Sequence, residues 1–168
     1  MEKVVPFLWF DDKAEEAAEF YVSLLPDSKV ESVTYYGDEP PGFKGKVMTV
    51  SFLLAGRPFT ALNGGPSNTL TEAFSIVVNC EDQEEVDELW GQLTANGGEP
   101  GPGGWLKDRF GVSWQIVPTR LMELIADPDR EKAARATHAM LQMGKIDITE
   151  LERRRPETAK RRPSGDPA

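Results

Sequence analysis

The chain has 168 residues, 39% hydrophobic and 28% charged, with a net charge of −9. That length suits one domain or two small modules sharing a core, and the longest apolar runs fall well short of the roughly 18 residues of a membrane span. An acidic body lacks the cationic face that phosphate backbones require, so neither nucleic acid nor membrane is expected as a partner.

In chain order, Val4 to Phe10, "VVPFLWF", reads as a buried strand. Asp12 offers an N-cap with Glu15 three residues on, the spacing of a capping box. Ala17, Phe20, Tyr21 and Leu24 then recur at helical spacing until Pro26 stops the helix. Strands are expected at Lys29–Tyr36, Val47–Leu54 and Pro58–Asn63. The loop Gly37–Lys46, "GDEPPGFKGK", either lids a pocket or merely connects two strands.

The second half repeats the plan. "FSIVV" from Phe74 is a strand, Asp82 and Glu85 form a second capping box, and Val86, Leu89, Trp90 and Leu93 form the stripe. The stripes match at an offset of 69 residues, Ala17 to Val86 and Tyr21 to Trp90 among them, while the caps slip by one. Asn96-Gly97-Gly98 ends the helix. Gly98–Gly104 is a weak strand candidate, followed by Trp105–Asp108, the turn Asp108-Arg109-Phe110-Gly111 and the strand Val112–Val117. The expected fold is therefore α+β: two βαβββ modules, about 1–66 and 74–118, building a curved mixed sheet with helices outside and a concave inner face.

Beyond the paired modules, residues 121–152 read as a helical extension with its main helix from about Arg130 to Met143, and Asp147 or Thr149 caps a short last helix. Residues 153–168 hold the basic clusters Arg153-Arg154-Arg155 and Lys160-Arg161-Arg162 among helix breakers, as expected of a flexible tail. The N-terminus lacks the basic start and cleavage site of a signal peptide, which sets the cytoplasm as the expected compartment. The single cysteine, Cys80, excludes an internal disulfide and reads as a buried thiol, and the single histidine, His138, stands far from it in sequence.

The segments "PFLWFDDKAEEAAEFYVSLLPDSKV", "GGWLKDRFGVSWQIVP" and "HAMLQMGKIDITELE" resemble the PhnB-like family, also labelled 3-demethylubiquinone-9 3-methyltransferase-like, of the vicinal-oxygen-chelate superfamily with glyoxalase I, extradiol dioxygenases and bleomycin-resistance proteins. The resemblance implies the glyoxalase fold and a pocket often completed in a homodimer. In metal-dependent members a His near the start of a module's first strand and a Glu four residues after a turn glycine hold a divalent ion. Here the His places fall on Pro6 and Ser75, and the Glu places on Gln115 and on Thr60, or Asn63 if the strand slips. These are poor ligands, so neither metal nor other cofactor is expected. Gln115 either orients a bound molecule or satisfies a partner inside the fold.

The pocket candidates are Phe7, Trp9, Thr60, Asn63, Ser75, Trp105, Arg109 and Gln115. For Trp9, Trp105 and Trp114 the alternative is core packing, and for Arg109 and Lys107 it is a solvated hairpin charge. Period-2 alternation puts Trp114 and Gln115 on opposite faces. The function expected is binding of a small organic molecule without metal. One alternative is an enzyme of the superfamily, a lyase, isomerase, dioxygenase or, as the label suggests, a methyltransferase, with Asp108, Glu72, Tyr35 or Tyr36 moving protons. Methyl-donor enzymes of the Rossmann type need a strand, a glycine-rich turn and a helix that this chain lacks. The other alternative is a structural or interaction protein.

Overall fold

The fold is described from a computed structural model, over residues 1–153. The first module consists of β1 (Phe7–Phe10), α1 (Ala14–Leu24), β2 (Lys29–Tyr35), β3 (Val47–Leu54) and β4 (Arg57–Asn63). The second consists of β5 (Ser75–Cys80), α2 (Gln83–Thr94), β6 (Glu99–Pro100), β7 (Trp105–Lys107) and β8 (Ser113–Pro118). Each makes a four-stranded sheet, in the order β1-β4-β3-β2 and β5-β8-β7-β6. In each the first strand lies parallel to the last, with the helix serving the crossover. The duplicated plan is thus realised strand for strand, and the mixed sheet is hydrogen-bonded as two halves of four strands.

Alternation sets the faces. On β3, Val50, Phe52 and Leu54 are buried, and α1 lays Ala14, Ala17, Ala18 and Tyr21 over them. On β8, Trp114 and Ile116 pack beneath α2 with Val86, Leu89 and Leu93. The opposite faces carry no helix from their own module: Phe7, Trp9, Thr60 and Leu62 share one, and Ser75, Val77, Trp105, Ser113 and Gln115 the other.

The caps differ from expectation in one module. Asp82 caps α2, accepting from Glu85 N at 2.9 Å, while the Glu85 carboxylate accepts from Glu81 N. Asp12 does not cap α1. The N-cap position is Lys13, without a side-chain bond, and Ala14 N instead donates to Asn63 Oδ1 at 2.8 Å. An amide from the end of β4 satisfies one of the helix's open donors across the fold.

The modules meet through aromatic rings and one buried latch. Asp108, 3% exposed, accepts from Tyr21 Oη at 2.7 Å, from Trp114 Nε1 at 2.9 Å, and from the Phe110 and Val112 amides. The Tyr21 ring packs against Phe52 of its own module and against Phe110 and Trp114 of the other.

Helices α3 (Thr119–Ile125), α4 (Arg130–Leu141) and α5 (Ile148–Arg153) follow, with a small core of Val117, Leu121, Ala139, Ile146 and Leu151. Asp147 caps the last helix, its carboxylate oxygen accepting from Glu150 N. Arg153 belongs to that helix rather than opening the tail. The basic residues from 154 onward lie outside the described residues. Among the described residues no helix is long and apolar enough to cross a membrane.

A candidate binding site on the open face of the second sheet

The site grows from a shortened strand. Where the first module has the seven-residue β2, the second has the two-residue β6, because "GEPGPGG" lacks donors at its prolines and side chains at its glycines. The gap beside β7 leaves a cavity of about 400 Å³ lined by Trp105, Lys107, Ser113, Glu72 and the Pro100–Pro102 turn. Ser113 is 2% exposed, and its Oγ has no hydrogen-bond partner, the one such atom among the described buried side chains. Leaving a buried hydroxyl unpaired is unfavourable by about 1–3 kcal/mol.

Lys107 Nζ lies 2.6 Å from the Glu72 carboxylate. This hydrogen bond lowers the Glu72 carboxyl below its ordinary range and raises the Lys107 ammonium above its own. A carboxylate made less basic and already paired is a poor proton acceptor, so the pair serves as a polar rim.

Of the residues singled out from sequence, Trp105 lines this cavity, and Gln115 and Ser75 stand beside it on the same face. Gln115 pairs in register with Trp105 on one side and Val77 on the other, and its Nε2 donates to Ser75 Oγ at 2.9 Å. The two places read as ligand positions in the second module therefore touch each other. In the first module their counterparts are joined by the backbone, Thr60 N donating to Pro6 O at 3.0 Å, and Phe7 pairs in register with Thr60. Asn63 is occupied as a brace: besides capping α1, it donates Nδ2 to Val47 O, and its own carbonyl accepts from Tyr36 Oη. Trp9 donates Nε1 to Gly65 O, and Arg109 lies over the rings of Phe20 and Phe110. Both line a second cavity away from the first.

Among the proposed proton carriers, Asp108 is saturated by its four donors and buried among structural partners, and Tyr35 is 62% exposed. Burial, with help from Glu85 and Asp82, pushes the Cys80 thiol up to about 12, leaving it protonated and inert at neutral pH. His138 stands on the exposed side of α4. Sequence reasoning passed over Ser113, although period-2 alternation from Gln115 already places it on the same face.

Residues 2–117 match the family model for 3-demethylubiquinone-9 3-methyltransferase. Among solved structures, a PhnB protein from Bacillus cereus is 35% identical over 70% of this chain and 99% of its own, with a TM-score of 0.63. The chain belongs to this PhnB-like family. A protein from Pseudomonas aeruginosa is 25% identical over 70% of this chain and 98% of its own, with a TM-score of 0.59. No curated protein matches the sequence.

The PhnB-like chain does not present donors that suit the divalent ion of metal-dependent glyoxalase-fold proteins. The two places where the resemblance set ligands in the second module hold a neutral amide bonded to a serine hydroxyl, and no three His, Cys, Asp or Glu side chains gather among the described residues. The helices after residue 117 lie outside the family match, and they brace the cavity wall. Gly103 N donates to Met143 O at 2.7 Å and Gly104 N to Gly144 O at 2.9 Å. Gln83 joins the extension to α2 through Ile146 O and Ile148 N. Gly104 sits at φ +85°, and a Cβ there would meet Ile116 O at 3.0 Å, so the wall depends on glycine.

Proposed function

We propose that this PhnB-like protein binds a small organic molecule, without a metal ion, on the open face of its second sheet. The single observation that carries the reading is the buried, partnerless Ser113 hydroxyl in a cavity walled by Trp105. The indole supplies a flat apolar wall, Ser113 a hydrogen-bonding floor, and the Lys107–Glu72 pair a polar rim, the usual proportions of a small-molecule site. The Gln115–Ser75 pair is positioned to orient a carbonyl or hydroxyl nearby. Binding is favoured over turnover because Asp108 is saturated and Glu72 is paired. The methyltransferase named in the family description would need a methyl-donor site, and the described strands and helices form no doubly wound sheet with a glycine-rich turn.

A homodimer belongs to this reading. Phe7, Phe74 and Val77 are 58%, 47% and 48% exposed in or beside the edge strands β1 and β5, the surface a second copy would cover.

The test combines a small-molecule thermal-shift screen with Ser113→Ala. Removing an unpaired hydroxyl should leave stability equal or higher, while a true ligand of this cavity should lose about tenfold in affinity, as expected of one lost hydrogen bond to a buried site. Ligands indifferent to both Ser113→Ala and Trp105→Ala sink the proposed site. Incubation with Ni²⁺, Zn²⁺, Mn²⁺ and Fe²⁺ followed by removal of excess ion should leave the protein metal-free, and near-stoichiometric retention overturns that part.

A further inference from the structure

We propose that the second cavity, at the seam between the modules, binds a small carboxylate monoanion with a planar apolar body, its carboxylate held by Arg109. The cavity holds about 370 Å³ and is distinct from the one on the second sheet: it lies where the end of β1, the β7–β8 turn and the segment linking the modules converge. Its volume falls within the range of small-molecule sites, roughly 300–1,000 Å³.

Arg109 is the deciding group. Its guanidinium carbon lies 4.3 Å from the centroid of the Phe20 ring and 4.5 Å from that of Phe110, so rings from both modules hold the cation. That packing engages the π face and leaves the in-plane N–H donors without an acceptor: among the described residues no side chain or carbonyl accepts from Arg109, and no carboxylate pairs with it. A guanidinium fixed in place with its fork unspent matches a carboxylate bidentately.

The rest of the lining sets the ligand's charge and shape. Lys13 adds a second cation, in a solvent-exposed ion pair with Glu16 at 3.6 Å, and Asp11 contributes one carboxylate. With Lys13 shared with Glu16 and Asp11 nearby, Arg109 is the lining cation left without a carboxylate partner among the described residues, which suits a monoanion better than a phosphate dianion. Trp9 and Phe110 give apolar walls. Trp9 cannot swing freely, because its Nε1 donates to Gly65 O and Gly64 lies so close to the ring that a Cβ would overlap it. Asn68 and Thr69 present neutral polar groups from the linker.

The experiment is a ¹H–¹⁵N NMR titration of the full chain with sodium benzoate at fixed ionic strength, with benzyl alcohol and inorganic phosphate run in parallel. Benzoate should shift the Trp9 indole and Gly111 amide saturably and leave the Trp105 indole still. Benzyl alcohol should bind about tenfold more weakly or not at all, for want of the charge-assisted bonds. Arg109→Lys keeps the charge but loses the fork, and it should weaken benzoate by about tenfold with the spectrum otherwise unchanged. Lys13→Gln, on the exposed rim, should weaken it by a smaller factor and keeps the test alive if an Arg109 variant fails to fold. Shifts that do not saturate, equal binding of benzyl alcohol, equal or tighter binding of phosphate, or benzoate affinity unchanged in Arg109→Lys each overturn the proposal.

Discussion

In the first module β2 runs seven residues and pairs along β3, whereas its counterpart β6 in the second module is two residues long. The full strand extends the first sheet along β3 with cross-strand bonds such as Thr34 to Thr49 at 2.6 Å. The stunted one leaves a hollow over Ser113, and main-chain bonds from the C-terminal extension hold its rim in place of a neighbouring strand. The contrast teaches that one half of a duplicated fold can keep the scaffold while the other gives up ladder hydrogen bonds for space. The caps differ in the same spirit: α2 is capped by its own Asp82, and α1 borrows Asn63 from a distant strand.

Five substitutions probe that comparison. The largest effect is expected at the seam. Asp108→Ala leaves the Tyr21 hydroxyl, the Trp114 indole and two backbone amides without their acceptor, and should lower unfolding stability by at least about 3 kcal/mol in a denaturant titration. A loss below about 1 kcal/mol would show that the modules do not depend on this latch.

Tyr21→Phe comes next, with a loss of about 1.5–3 kcal/mol for a bond to a charged acceptor. It also carries a pH signature. Burial first, and then the Asp108 carboxylate, hold the Tyr21 phenol well above its ordinary value of 10.0. The fold thus favours the protonated phenol. Its contribution is complete below pH 10 and is lost as pH rises toward the folded value. Wild type should lose stability above about pH 10, and the phenylalanine variant should lack that component; parallel alkaline decline in both proteins contradicts the assignment.

The smallest effects are at the caps. Asp82→Ala and Asn63→Ala should each destabilise by about 1 kcal/mol, and Asp12→Ala by only a few tenths. Equal losses at Asp12 and Asn63 would restore the local capping box that the sequence suggests.

Most of the scaffold could be read from the chain because it is written in local signals. The matching stripes at Ala17/Val86 and Leu24/Leu93, the Asp82–Glu85 box and the turn glycine Gly111 each depend on residues a few positions apart. Counting from that glycine reached Gln115, and counting from the stripe reached Ser75, which the fold joins by a hydrogen bond. What stayed hidden involves partners far apart in sequence. Tyr21 and Asp108 are 87 residues apart, and Asn63 and Ala14 are 49 apart. No periodicity links such pairs, so a proximal Asp12 is the natural reading of a cap that the fold supplies from elsewhere. The cavity was hidden for another reason: Gly- and Pro-rich sequence announces a poor strand but not the space that strand fails to fill.

The Tyr21–Asp108 latch has a bearing on how the duplicated chain can come apart. A fragment ending before the linker would keep a phenol shaped for a distant anion, and one beginning after it would keep an anion with no phenol to meet. On this ground the two halves should melt as one cooperative unit, checked as a single calorimetric transition.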